Sequence, residues 1–272
     1  MDMDQDRNIL IPCPAGKRVY FASDFHLGAP DQATSLEREQ AIVRWLDAAQ
    51  TDAAHIFLVG DIFDFWFEYK KVIPKGYTRL LGKLAELSDK GIGVSVFTGN
   101  HDMWMDGYFE EELHIRVFTD PQAFRIADKR FFIAHGDGLG PGDRWYKLMK
   151  KVFRSKLCRA LFAALHPGWG IAIANTFSKQ SRLMTEEQTF LGEDREWLVQ
   201  FSKDKLKEEH FDYFIFGHRH LPLDIPLSGG SHYLNLGDWL HHYSYAVFDS
   251  DQTVLCYSRP GKSAQTAPAL RC

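Results

Sequence analysis

HIFLVGD, residues 55–61, is a run of four apolar residues closed by Gly60 and Asp61. A short apolar run bounded by turn residues reads as a buried strand. Its neighbours read as helices: LEREQAIVRWLDAAQ (36–50) has helical spacing at Ala41, Ile42, Trp45 and Leu46, and GYTRLLGKLAELSDKG (76–91) ends on Gly91. RVYFASDFH (18–26), GVSVFTGNHD (93–102) and KRFFIAHGD (129–137) are further strands of the same kind. Strands alternating with amphipathic helices predict βαβ units and a mainly parallel sheet. From Phe211 onward the pattern changes, and DYFIFGHRH, SHYLNLGDW, YSYAVFDS and TVLCYSR read as consecutive strands separated by turns. The expected fold is α/β, with a second sheet packed on the first and helices flanking both. One domain over residues 1–272 is expected, carrying a helical insertion at about 140–209, with no internal repeat and a loose tail at PGKSAQTAPAL.

The composition narrows the function classes. Apolar content of 45% and charged content of 25% are those of a folded globular chain. A net charge of -4 argues against general nucleic-acid binding, which needs a broad basic footprint. The start, MDMDQDRNILIPCPAGKRVYF, is acidic where a signal peptide is basic, and no run approaches the roughly 18 apolar residues of a membrane span. Cys13, Cys158, Cys256 and Cys272 are scattered, so reduced thiols in a cytoplasmic protein are expected.

The chemistry gathers where the strands stop. Asp24 and His26 end the first strand and Asp61 the second; Asn100, His101 and Asp102 end the third, His135 the fourth, and His218 and His220 the fifth. In open α/β sheets ligands collect beyond the carboxyl ends of strands. Each residue alone has an ordinary structural use, an Asp as a helix cap or a His in the core; five coincident strand ends do not. Carboxylate, amide and imidazole donors without thiolate suit Mn²⁺, Fe²⁺, Co²⁺ or Zn²⁺. Seven such side chains exceed the needs of one ion and fit two ions sharing a carboxylate. Such a pair, about 3.5–4 Å apart, activates water and holds both oxygens of a displacement at phosphorus.

The ordered set D-x-H, GD, GNHD, H and G-H-x-H resembles the signature of the calcineurin-like metallophosphoesterases over roughly residues 18 to 240. That resemblance implies two divalent ions, with Mn²⁺ the expected metal. Asp24, His26, Asp61 and His220 would hold one, and Asp61, Asn100, His135 and His218 the other, with Asp61 shared. It implies that His101 contacts the phosphate and that Asp102 orients His101. Alternate residues of an extended segment point opposite ways, so the FGHRH turn must bend to give each ion one imidazole, a bend Gly217 is expected to ease.

WYKLMKKVFRSKLCRALFAAL (145–165) places apolar residues at helical spacing and adds Lys147, Lys150, Lys151, Arg154, Lys156 and Arg159, with no acidic residue. Such a helix either packs its stripe on the core behind a solvated basic face, or lies on an anionic membrane and walls an acyl-chain pocket. After HPGWG, IAIANTFSKQSR (171–182) reads as a second helix, whose Asn175, Ser178, Lys179 and Arg182 either contact substrate sugar or phosphate or form an ordinary polar face. SDFHLG, GDIFDFWFEY, the insertion after HGDGLG, and GHRHLP are similar to the UDP-2,3-diacylglucosamine pyrophosphate hydrolases of lipid A synthesis. This implies a helical lid over the site, an acylated UDP-sugar substrate split to UMP and a diacylated sugar 1-phosphate, and peripheral residence on the cytoplasmic face of the inner membrane. GNHD stands where the best-known members carry GNRD, so a related hydrolase of another lipid-linked or small nucleotide phosphodiester stays open. Phe65, Trp66, Phe67 and Tyr69 line the cavity or belong to the core.

Overall fold

The computed structural model describes residues 8–140, 144–170, 172, 189–190 and 192–258. Asn175, Ser178, Lys179 and Arg182, with most of the second expected helix, lie outside them. Two six-stranded sheets face each other. In the first, β2 (Arg18–Ala22), β3 (Ala53–Val59), β4 (Gly93–Phe97) and β5 (Arg116–Phe118) run parallel, as the alternating pattern predicts. Helices α1 (Gln32–Ala49) and α2 (Thr78–Asp89) cover its outer face, burying Ile42, Trp45, Leu46, Leu80 and Leu84 against Tyr20 and Leu58, and the short α3 (Tyr108–Glu111) links β4 to β5. Asp31 starts α1 by accepting from the amides of Ala33 and Thr34.

The division of strands between sheets departs from expectation. β7 (Lys129–Ala134) leaves the first sheet and sits in the middle of the second, between β6 (Gln122–Ile126) and β8 (Tyr213–Phe216). β1 (Ile9–Ile11), β9 (Pro222–Pro226) and β10 (His232–Leu236) complete that sheet, and β11 (Ser244–Phe248) and β12 (Thr253–Tyr257) return to the first, antiparallel. The reason is that β7 is apolar on both faces. Phe131 and Ile133 join the core between the sheets, while Phe132 and Ala134 pack on Leu198 and Val199 of α6 (Trp197–Leu206). Such a strand fits any central position, and its run does not say in which sheet. β9, bounded by two prolines, stands at an edge, where no ladder donor is required. Cys13 and Cys158 are free as expected, whereas Cys256 is disulfide-bonded.

The first insertion helix is broken in two. Ser155 ends α4 (Arg144–Phe153) and caps α5 (Lys156–Ala163), its hydroxyl accepting from the amide of Cys158. The apolar stripe is also divided: Phe153 and Phe162 pack on Trp104, while its leucines face outward. Lys150 reaches the Asp137 carboxylate at 2.5 Å, Arg154 meets Asp120 at 3.0 Å, and Arg159 pairs with Asp106. Leu148 and Val152 are each 52% exposed, Leu157 71% and Leu161 64%. Among the described residues, no helix is long and apolar enough to cross a membrane.

Candidate metal centre

Both sheets present their carboxyl ends to one rim, where the loops after β2, β3, β4, β7 and β8 meet. Backbone hydrogen bonds fix them together: the Asp24 amide donates to the Gly60 carbonyl, His26 to Asp61, and Gly217 to His135. Arg38 of α1 steadies the first loop by donating to the carbonyl of His26 at 2.7 Å. Asp24, His26, Asp61, His218 and His220 all have left-handed backbones, with φ between 44° and 67°. Non-glycine residues hold that conformation only when their surroundings over-determine it, at a cost of about 1–3 kcal/mol each.

The bent turn of FGHRH is therefore made by its histidines. Gly217 is not in the left-handed region, so its expected use as a cheap bend is corrected. Its need is space: a β-carbon there would lie 2.6 Å from Asp24 Oδ2 and 2.7 Å from Ser23 Oγ.

Two donor groups result. Asp24, His26 and His220 form one, with His220 Nε2 3.1 Å from both Asp24 Oδ1 and His26 Nε2. Asp61, His135 and His218 form another, and Asn100 Oδ1 lies 3.3 Å from His135 Nε2. Asp61 Oδ2 stands between the groups, 3.7 Å from His26 Nε2 and 3.3 Å from His135 Nε2. His26, Asp61 and His101 converge as well.

The electrostatics suit a cation. Burial opposes ionisation of Asp24 and Asp61, yet the surrounding histidines hold both carboxyls well below the usual range. Burial likewise disfavours charge on His26 and His135, but the carboxylates raise both to about 10. His218 is pushed down to about 4 by burial and by His135. The buried carboxylates favour positive charge beside them, and the oxygen and nitrogen donors fit a divalent ion.

The far nitrogens are positioned too. His135 Nδ1 bonds the Val59 carbonyl at 2.9 Å, leaving Nε2 toward Asp61. Asp64 Oδ1 is 3.6 Å from His26 Nδ1, and Asp238 Oδ2 is 3.6 Å from His220 Nδ1. Sequence reasoning missed both acids. Asp238 carried a signal, since NLGD after β10 repeats the strand-end Gly-Asp of VGD.

Asp102 does not turn toward His101 as expected. Its carboxylate accepts from the amides of Gly99, Ile62 and Phe63, tying the β3 and β4 loops together. Burial and the nearby Asp61 raise it to about 7. The contact to His101 comes from Asp64, whose carbonyl meets Nδ1 at 3.2 Å. Burial lowers the His101 imidazole, against the opposing pull of Asp61 and Asp64. Beside the rim, Phe67 and Trp104 pack on Phe162 of α5 with ring centroids 4.7 and 4.9 Å apart, and Phe65 joins them at 5.9 Å. Trp66 instead stacks on Phe63 within the core.

Comparison with known proteins agrees with this geometry. The model of the family described as calcineurin-like phosphoesterase matches residues 17–222. A UDP-2,3-diacylglucosamine hydrolase of Porphyromonas gingivalis is 39% identical over 252 residues, covering 88% of this chain and 96% of its own. Enzymes of the same name from Neisseria meningitidis serogroup A and Shewanella baltica are 27% and 26% identical, covering 88% and 92% of this chain and 97% and 98% of theirs. With its strand-end donors inside the matched region, the chain belongs to the calcineurin-like phosphoesterase family of hydrolases.

Proposed function

We propose that the chain hydrolyses the pyrophosphate bond of UDP-2,3-diacylglucosamine, giving UMP and 2,3-diacylglucosamine 1-phosphate. The observation that carries the reading is the place of Asp61, one carboxylate oxygen set between two donor groups. Asp24, His26, Asp61 and His220 would hold one divalent ion, and Asp61, Asn100, His135 and His218 a second, with Mn²⁺ the metal expected. Such a pair supplies Lewis-acid polarisation of phosphoryl oxygens and an acidified attacking water.

The chain's own side chains do the rest. Asp64 holds His101 by Nδ1, and the His101 ring would meet a phosphoryl oxygen of the substrate. Asp102 holds the Gly99 and Ile62 amides, so the Asn100–His101 loop keeps its place over β3. Asn175, Ser178, Lys179 and Arg182 remain proposed contacts to sugar or phosphate. Phe65, Phe67, Trp104 and Phe162 form an apolar shelf beside the rim, suited to acyl chains.

The same reading places α4 and α5 as a lid inserted in a single domain. Exposed Leu148, Val152, Leu157 and Leu161 with Lys151 and Lys156 fit an anionic lipid surface, and a peripheral position on the cytoplasmic face of the inner membrane. The test is incubation of purified protein with UDP-2,3-diacylglucosamine and Mn²⁺, scored for UMP by mass spectrometry. No UMP, alongside brisk cleavage of a small chromogenic phosphodiester, would sink the lipid substrate and leave a soluble phosphodiesterase.

A further inference from the structure

Arg219 stands between the two histidines of the FGHRH turn and is itself only 8% exposed. Its Nε donates to Glu196 Oε1 at 2.8 Å, its guanidinium lies 4.6 Å from the Trp197 ring centroid, and its amide donates to the Gly217 carbonyl at 2.8 Å. Glu196, 2% exposed, occupies the cap position of α6, yet its side chain caps nothing there. Cap positions favour short side chains that satisfy helix amides. Here the carboxylate is spent on Arg219 instead.

The neighbours complete a frame around the turn. Trp197 approaches the His218 ring with centroids 6.4 Å apart. Asn235 donates to the Gly217 carbonyl at 2.6 Å, and the His218 amide donates to Asp24 Oδ2 at 3.0 Å. Inside this frame His218 and His220 hold φ of 67° and 53°. A buried ion pair is a poor source of stability, because desolvation of both charges offsets their attraction. Its geometric effect is plain: it holds residue 219 at a fixed position, and residue 219 is the link between the two imidazoles.

We propose that Glu196 and Trp197 clamp Arg219 so that His218 and His220 are set for metal binding together. Metal affinity in both halves of the centre then depends on a buried ion pair that touches neither ion. Arg219, Glu196 and Trp197 are positioning residues, and Arg219 acts through the histidines on either side. Because Glu196 and Trp197 open α6, a shift at the start of this helix is felt at both halves of the centre at once. The inference rests on the two-ion reading of the site.

The test compares the native chain with Arg219→Met/Glu196→Leu, which removes both charges and fills the space with apolar side chains. Three quantities are read: thermal midpoint in chelator, Mn²⁺ affinity and stoichiometry by calorimetry, and the visible spectrum of the Co²⁺-loaded protein. The clamp predicts a midpoint close to native, Mn²⁺ affinity reduced about 10–100-fold in both halves, and an altered Co²⁺ spectrum. Native Mn²⁺ affinity in the double variant overturns it. Should that variant fail to fold, Arg219→Lys keeps the charge but loses the planar stack and fork. A threefold or greater loss of Mn²⁺ affinity then supports the clamp, and native affinity refutes it. If the native chain alone takes up fewer than two ions, the two-ion reading has failed, and the clamp falls with it before any variant is needed.

Discussion

A β-carbon at Gly99 would stand 2.1 Å from Asp61 Oδ1 and 2.6 Å from the Asp61 amide, closer than any real contact allows. The glycines of GNHD and GHRH are therefore spaces into which the aspartates of other strands fit. Gly99→Ala is expected to displace Asp61 and cut turnover at least a hundredfold, as misplacement of a catalytic group by about 1 Å does. Native activity in the alanine variant would mean Asp61 is not needed where it sits. The same logic exposes what a sequence reports at this scale. Asp24, His26, Asp61, Asn100, His135 and His218 were legible because each lies just past the carboxyl end of a strand. The left-handed backbones of five site residues were not, since conformation imposed by tertiary contacts leaves no mark on residue type. Nor was the turn of Asp102 away from His101 toward three backbone amides, because sequence adjacency is not side-chain contact.

At the scale of elements, α4 and α5 divide their apolar stripe between the body of the protein and its surface. Lys150, Arg154 and Arg159 pair with Asp137, Asp120 and Asp106, Phe153 and Phe162 pack on Trp104, and the leucines face out. The spacing of the stripe was legible, but which face turns inward was not, because the acidic partners of the lysines and arginines lie in three separate loops. Leu157→Asp with Leu161→Asp should abolish co-flotation with anionic vesicles and cripple turnover of the acylated substrate, while sparing a small chromogenic ester. Equal losses on both substrates would argue for a folding defect instead of a lipid-facing surface.

β3 and β4 carry a different prediction. His55 Nε2 meets Ser95 Oγ at 2.9 Å, and burial pushes the imidazole down from 6.5 to about 4. The unfolded chain therefore takes up this proton first as pH falls. The stabilising effect of keeping His55 neutral is complete above pH 6.5 and is lost between 6.5 and about 4. The loss is on the order of 1–3 kcal/mol. His55→Gln, which keeps a donor for Ser95, should flatten the fall of the urea midpoint between pH 7 and 4.5. An unchanged slope would show that His55 does not titrate on unfolding in this range.

Across the whole molecule, the two proposed ion positions join the sheets. Asp24, His26, Asp61 and Asn100 follow strands of the first sheet, and His135, His218 and His220 follow strands of the second. Each proposed set of ligands takes members from both, so each ion would act as a cross-link between the two halves of the sandwich. Ions that bind only the folded chain stabilise it by about 2.7 kcal/mol per site at a hundredfold excess over Kd. For a chain of this size each kcal/mol moves Tm by roughly 2–4 °C. Saturating Mn²⁺ should therefore raise Tm by on the order of 10 °C over the chelated protein, and chelation should silence hydrolysis until Mn²⁺ is restored. Asp61→Ala, removing a ligand from both sets, should abolish the rise. His220→Ala, touching one set, should leave about half of it, because the Asp61, Asn100, His135 and His218 set keeps its hold on both sheets. A midpoint indifferent to Mn²⁺ would mean that these side chains approach one another without sharing an ion. The sheets would then be joined without a shared ion, by the apolar layer that includes Phe21, Phe57 and Phe131 and by hydrogen bonds such as that from the His218 amide to Asp24.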